Sequence, residues 1–408
     1  MSYLINLIKL LCLLSYLKLD DGFIFVLSMS PNVSKEKAVE YAVRLIKRGY
    51  RKKSVIEKLE ARGFNPEEIY EIARCRLRIK DKFSKKKLYF DTYGLRYSTP
   101  EIIGLYRARR IKGYTIADVS CGVGMQAIFL ARTNREVLCV DIDGRRIEYA
   151  KRNAGAYGVN NMRFLVGDCF SQEVQSIAKK YDIIYSDPAR KEEEKERKLE
   201  NLMPSPLKII GKYGERNYVF DLPPQISQDK IPEGWEKEYI SLNGSIRRLT
   251  TYIGELYQHD RRAVALPSGA EIQSDELLEF TKKMEFSDYI YIVDEAIYYA
   301  RLLGSLERRY PIWYLQVGKR RTLASSSNLL KSGFLKPFKV IFFSDDIQEI
   351  MKFLRLENYG KVTLRLSVDP DKYWELRTEI ERNLNGNDKA SLFKIGENYV
   401  VGIQCNIT

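Results

Sequence analysis

The stretch Ile116-Ala117-Asp118-Val119-Ser120-Cys121-Gly122-Val123-Gly124 decides the fold. An apolar run suited to a buried strand ends in an acidic residue, and a G-x-G turn follows, leading into a helix that begins near Met125. Glycines at such a turn let backbone approach a ligand without a Cβ in the way, and the helix N-terminus offers unpaired N–H groups. A G-x-G alone says little, but further signals fall in register with this one. The next candidate strand, Glu136–Val140, ends in Asp141, 17 residues after Gly124. A carboxylate at the tip of a second strand is placed to accept both hydroxyls of a ribose. The third strand, Met162–Val166, ends in Gly167-Asp168, placed to bond an adenine amino group. The fourth, Tyr181–Tyr185, ends in Ser186-Asp187-Pro188-Ala189-Arg190.

Outward from this core, strands are expected at Tyr218–Leu222, Glu238–Leu242 and Arg262–Leu266, with helices between the early ones. Alternating strands and helices over residues 89–270 predict an α/β, doubly wound, mostly parallel sheet. Residues 271–330 read as a helical connector that includes the apolar run Tyr289–Leu306. Residues 331–408 read β-α-β-α-β-β, a small separate α/β domain. On the other side, residues 29–88 read as a basic helical module of three helices with apolar stripes Val39/Val43/Ile46, Val55/Ile56/Leu59 and Ile69/Ile72/Leu77. Asn32 or Ser34 is expected to cap the first helix, and Asn65-Pro66-Glu67-Glu68 to start the third. Residues 1–28 are apolar but broken by Asn6 and Lys9, too short for a comfortable membrane span and without the basic start of a signal peptide. They are expected to be a non-native or disordered extension, with the conventional pattern starting at Met29.

The chain has 408 residues and a net charge of +14, and residues 31–112 hold 23 basic against 10 acidic side chains, +13 of that total. So local an excess reads as a footprint for a polyanion, with nucleic acid the leading partner. Basic residues alternate there with Tyr41, Tyr50, Phe64 and Tyr70, which suits stacking on bases. The single histidine, His259, beside Asp260, is read as a surface or capping residue. One histidine excludes a network of histidine bases and most zinc sites, and no metal constellation is visible. Six cysteines without a C-x-x-C pair point to a reducing, cytoplasmic setting. No stable membrane association is expected. High Lys, Glu, Tyr and Ile lean toward a thermophile.

The D-x-x-x-G-x-G form, without a third glycine at dinucleotide spacing, resembles class I S-adenosylmethionine-dependent methyltransferases. Tyr97-Ser98-Thr99-Pro100-Glu101, Tyr106-Arg107-Ala108, the glycine turn and Asp187-Pro188-Ala189-Arg190 are similar to a prokaryotic methyltransferase family that ends in a THUMP-like domain. The resemblance covers about 80–408. It implies a Rossmann-like seven-stranded methyltransferase sheet, S-adenosyl-L-methionine as cofactor, and RNA (tRNA or rRNA) as substrate.

It also implies roles. Gly122 and Gly124 match the loop around the methionine moiety, and Asp118 the acid that orients that loop and the cofactor's amino group. Asp141 matches the ribose ligand, Asp168 the adenine ligand, and Thr99 an upstream element that closes over the cofactor. Asp168 also suits a strand-end turn, Thr99-Pro100 a plain helix start, and Asp143 a helix cap. Asp187 and Pro188 stand where amino-group methyltransferases hold the target N–H₂, but Ala189-Arg190 replaces the usual Pro-Tyr/Phe. Tyr185 or another loop is left to supply a stacking ring, and Arg190 to clamp a phosphate. The leading expectation is an enzyme methylating a base nitrogen of RNA. The alternatives are a methyltransferase acting on protein or a small molecule, and a catalytically silent S-adenosylmethionine-binding RNA-binding protein.

Overall fold

The computed structural model describes residues 14–19, 22–27, 31–62, 64–189, 197–366, 370–382 and 384–406. A two-stranded ribbon of β1 (Leu14–Leu19) and β2 (Gly22–Leu27) precedes helices α1 (Pro31–Lys47), α2 (Lys52–Glu60), α3 (Pro66–Arg78), α4 (Thr92–Tyr97) and α5 (Glu101–Arg110). Strands and helices then alternate: β3 (Thr115–Asp118), α6 (Met125–Ala131), β4 (Glu136–Asp141), α7 (Gly144–Tyr157), β5 (Met162–Val166), α8 (Gln172–Ala178), β6 (Ile183–Ser186), α9 (Pro206–Tyr213) and β7 (Asn217–Leu222). Next come β8 (Glu236–Leu242), β9 (Ser245–Ile253), β10 (Arg261–Leu266), β11 (Ala270–Ser274), β12 (Tyr289–Val293), α10 (Glu295–Tyr299) and α11 (Leu303–Arg309). The last are β13 (Trp313–Gln316), β14 (Leu323–Ser326), β15 (Leu335–Ser344), α12 (Ile347–Leu356), β16 (Tyr359–Arg365), α13 (Pro370–Glu381), β17 (Asp388–Ile395) and β18 (Asn398–Gln404).

The chain divides into two compact units that interleave along the sequence. The first holds the described residues up to Glu101 together with Gly122–Ile128 and Asp143–Asn160. Within it α1 buries Ala38, Val39, Ala42 and Leu45, α2 buries Val55 and Leu59, and α3 buries Ile69, Ile72, Ala73 and Cys75. The expected stripes are displaced: Val43 and Ile46 are half-buried and Leu77 is exposed. The small Ala38, Ala42 and Ala73 are buried instead, and short side chains let helix axes approach. Asn65 accepts from Glu68 N–H (3.4 Å) and Pro66 opens α3, as expected. Because α1 begins at Pro31, Asn32 and Ser34 lie inside its first turn rather than ahead of it.

The helical module is not self-contained. Lys35 pairs with Glu68 (2.7 Å) and Glu148 (3.2 Å), and Tyr149 donates to Glu68 (2.8 Å). Asn153 accepts from Tyr89 N–H (2.8 Å) and donates to the carbonyls of Tyr89 and Val123 (both 3.0 Å). A fully bonded buried amide of this kind ties α7 and the glycine turn to the N-terminal segment.

The second unit spans Ile102–Cys121, Phe129–Ile142 and the described residues from Asn161 on. Its larger sheet has nine strands in the order β11-β10-β8-β9-β7-β6-β3-β4-β5. The expected seven gain β9 and β11. Strand β9 lies antiparallel between β7 and β8, and β11 lies antiparallel beyond β10. The remaining pairs are parallel. The expected helical connector is corrected as well: residues 289–326 supply β12, β13 and β14 besides α10 and α11. These strands join a seven-stranded sheet, β13-β14-β12-β15-β18-β17-β16. One apolar core runs from Ala117, Leu138 and Phe220 through Ile297 and Leu306 to Tyr314 and Leu335, so both sheets are buried against shared side chains.

Candidate functional site

In the nine-stranded sheet β3 leads outward to β4 and β5, and the chain then returns to β6 on the other side of β3. Such a switch of direction opens a crevice at the carboxyl ends of the strands, where ligands of open α/β sheets bind. Val119 N–H donates to Tyr185 O and Cys121 N–H to Val140 O, both at 2.9 Å, so the segment after β3 stays in register with both neighbours. The hydroxyls of Ser120 and Ser186 share a hydrogen bond (2.7 Å), and Asp187 N–H donates to Ser120 Oγ (3.1 Å). These contacts pin the Ser186-Asp187-Pro188 turn beside the end of β3. Farther on, Ala189 and Met203 exchange backbone bonds of 2.8 and 2.9 Å. Arg190 lies outside the described residues.

Asp118 is 1% exposed and accepts from Ser120 N–H (3.2 Å). Burial holds its carboxyl well above the usual range, and the charges of Asp187, Asp141 and Asp221 push it the same way. Carboxylates from the ends of β3, β4 and β6 therefore lie close enough to feel one another, and a positively charged ligand would relieve that repulsion. Asp141 ends β4 with its carbonyl accepting Gly167 N–H (3.0 Å). Asp168 is exposed and its carboxylate accepts Phe170 N–H (2.9 Å), the turn-forming bond that its position also suggested.

Sequence reasoning missed the group beneath this crevice. Asp221 accepts from Arg107 (2.7 Å), Tyr185 OH (2.8 Å) and Thr250 Oγ1 (2.8 Å). Arg107 also donates to Tyr185 OH (3.1 Å) and Thr250 Oγ1 (2.9 Å). All four side chains are buried. The phenol of Tyr185 is thus committed inward, and its ring is not available to stack on a substrate from β6. The available signal was an aspartate inside the apolar strand Tyr218–Leu222, since a buried carboxylate needs a partner.

In the first unit, Gly122 (φ +54°) and Gly124 (φ +80°) adopt left-handed backbone. A Cβ on Gly122 would meet nothing within 4 Å, whereas one on Gly124 would lie 2.7 Å from the Ala150 Cβ. Gly124 is therefore demanded by α7 and Gly122 by its backbone angle. Asp143 caps α7 by accepting Arg145 N–H (2.8 Å). Thr99 is buried just ahead of α5.

Three of the thiols are poor nucleophiles: burial raises those of Cys121 and Cys139, and pushes that of Cys169 up to about 12. His259 is one-third exposed and its Nδ1 lies 3.1 Å from Asp275 Oδ2. Among the described residues no cluster of three or more His, Cys, Asp or Glu side chains could hold a metal, and no helix is long and apolar enough to cross a membrane.

Residues 111–280 match the family model described as methyltransferase domain. An uncharacterized S-adenosylmethionine-dependent methyltransferase of Mycobacterium tuberculosis is 26% identical over 233 residues, 55% of this chain and 63% of that one. An uncharacterized RNA methyltransferase of Halalkalibacterium halodurans is 37% identical over 84 residues, 19% of this chain and 17% of that one. The crystal structure of a putative methyltransferase from Porphyromonas gingivalis W83 shares the fold, with a TM-score of 0.72 at 15% identity over 93% of this chain and 100% of that one. Residues 111–280 thus match a methyltransferase domain, and the chain shares the fold of the Porphyromonas protein. The match spans less than two thirds of the Mycobacterium relative's length, 63%.

Proposed function

We propose that the protein transfers a methyl group from S-adenosylmethionine to RNA, at a base nitrogen of a tRNA or rRNA. The reading is carried by the pinned Ser186-Asp187-Pro188 turn at the switch point, beside the buried Asp118. Its RNA half is supported by the name of the Halalkalibacterium relative and by the basic excess upstream of residue 113.

When bound, S-adenosylmethionine supplies a methyl group on a positively charged sulfonium. The residues suit such a group: carboxylates at the strand ends lie close enough to feel one another, and no atom fills the space where a Gly122 Cβ would stand. In the proposed assignment Gly122 and Gly124 line the methionine part, and Asp118 meets its amino group. Asp141 receives the ribose hydroxyls, Asp168 the adenine, and Thr99 closes the upstream side. The Asp187 carboxylate and the Pro188 carbonyl accept the N–H bonds of the target and aim its lone pair, so rate enhancement comes from orientation and fixed charge. Arg190 is assigned to a substrate phosphate. With Ala189-Arg190 in place of the stacking residues and Tyr185 turned inward, a second reading stands beside it: a cofactor-binding RNA-binding protein that transfers nothing.

The test supplies labelled cofactor with total RNA and, separately, with total protein. Label should enter RNA, and Asp187→Ala should cut transfer about a hundredfold or more while cofactor affinity by calorimetry stays put. Label in protein alone overturns the substrate class. Label in neither favours the second reading.

A further inference from the structure

Summed along the sequence, everything after residue 112 is nearly neutral, with 43 basic and 42 acidic side chains. In the seven-stranded sheet a set of cations collects around the Phe338 ring. The period of two along β17 puts Lys389 and Ser391 on the face of Phe393, and Phe393 is paired with Arg365 of β16. On β15, Lys336 shares a face with Phe338.

Arg365 ties these positions together: its Nε donates to Ser391 Oγ (3.2 Å) and its guanidinium lies 5.0 Å from the centroid of the Phe338 ring. The Lys336 ammonium lies 6.0 Å from the same ring. Arg321 enters from the turn Gly318-Lys319-Arg320-Arg321 between β13 and β14, whose Lys319 and Arg320 are exposed. Burial and the charge of Arg365 hold the Arg321 guanidinium below its usual range, and burial, Arg365 and Lys389 do the same to Lys336. Among the described residues none of Arg321, Lys336, Arg365 and Lys389 forms an ion pair. Cations gathered without counter-charges suit an anion, and guanidinium forks match phosphate oxygens.

We propose that this face of the seven-stranded sheet docks the phosphate backbone of RNA, through Arg321, Lys336, Arg365 and Lys389 with Lys319 and Arg320 at its margin. The proposal rests on the RNA reading above and assigns that substrate a second contact surface. A membrane surface fits less well, because the aromatic ring in the cluster, Phe338, is fully buried and cannot insert.

The test uses the full chain carrying Lys336→Glu and Lys389→Glu, both at exposed positions. A fluorescein-labelled single-stranded RNA is titrated by anisotropy over a salt series. Affinity at low salt should fall about tenfold, and the slope of log affinity against log salt should drop by roughly 1.4, about 0.7 per phosphate contact on a single strand. Cofactor affinity should not move. The pair Lys336→Gln and Lys389→Gln, which removes charge without reversing it, should give the same slope change with a smaller loss of affinity. Unchanged RNA affinity and slope in both variants, with wild type still binding and methylating RNA, overturns the docking face and leaves the proposed activity standing. Wild type that ignores RNA but binds phosphatidylserine vesicles through these lysines overturns both.

Discussion

Gly122 and Gly124 look equivalent in the sequence and are held by different forces. Alanine at position 122 would meet only the left-handed backbone at φ +54°, a cost of roughly 1–2 kcal/mol. Alanine at position 124 would add a Cβ 2.7 Å from that of Ala150. Overpacking of that kind typically costs about 1–3 kcal/mol more. Denaturant unfolding should therefore rank Gly124→Ala well below Gly122→Ala in stability; equal losses would mean that α7 does not press on the turn. Cofactor affinity should rank the other way, if the open space at Gly122 is where the methionine part lies. At this scale the sequence was readable where chemistry is local. The spacing of Asp118, Gly122, Gly124 and Asp141 needs only one strand, one turn and the next strand. Asp221 was not readable, because Arg107, Tyr185 and Thr250 reach it from 114, 36 and 29 residues away, counted along the chain. No periodicity encodes such a meeting.

Elements were legible when burial left a clean pattern and obscure when it did not. Strand β9, Ser-Ile-Arg-Arg-Leu-Thr-Thr-Tyr-Ile, carries two arginines and two threonines, yet Leu249 to Tyr252 are continuously buried because it lies between two other strands. Its polar side chains are tolerable there only because partners exist, such as Asp221 for Thr250. The apolar run from Tyr289 reads equally as helix or strand until Asp294 interrupts it, and short apolar runs carry that ambiguity by nature. Asp294 caps α10 by accepting Ala296 N–H (2.8 Å) and also accepts Ser241 Oγ (2.6 Å). Burial raises its carboxyl from 3.8 to about 6. Between those values the folded protein holds a proton that the unfolded chain has released, so this group's contribution to stability falls as pH rises through that window. Asn caps as well as Asp and does not titrate. Asp294→Asn should thus gain stability relative to wild type between pH 4 and pH 6, by an amount on the order of 3 kcal/mol. Parallel stability curves for the two proteins across that range would sink the assignment.

For the whole molecule, the charge sum is the quantity the sequence reports most faithfully and locates least well. Part of the basic excess of residues 31–112 is already neutralised: Arg76 grips Glu36 (2.7 Å), Lys35 serves Glu68 and Glu148, and Arg110 meets Glu236 (2.6 Å) and Glu238. Arg107 is buried against Asp221. Several tyrosines expected to stack on bases already carry cations, with the Arg62 guanidinium 4.2 Å from the Tyr41 centroid and the Lys58 ammonium 5.6 Å from that of Tyr50. The charge left for a polyanion is therefore smaller than the count, and lies on exposed side chains such as Lys47, Arg48, Arg51 and Lys53 at the junction of α1 and α2. Deleting residues 31–88 would be a poor test, because it strips α7 of Lys35 and Glu68, to which its Glu148 and Tyr149 are bonded. Replacing Lys47, Arg48, Arg51 and Lys53 by serine leaves that packing in place. If these side chains face RNA, the salt slope of binding should fall by up to about 3, at roughly 0.7 per lost phosphate contact. Cofactor affinity and the thermal midpoint should hold within error. A variant with wild-type RNA affinity and slope at low salt would move the footprint off this junction and leave the cations of the seven-stranded sheet as the docking surface to be weighed against it.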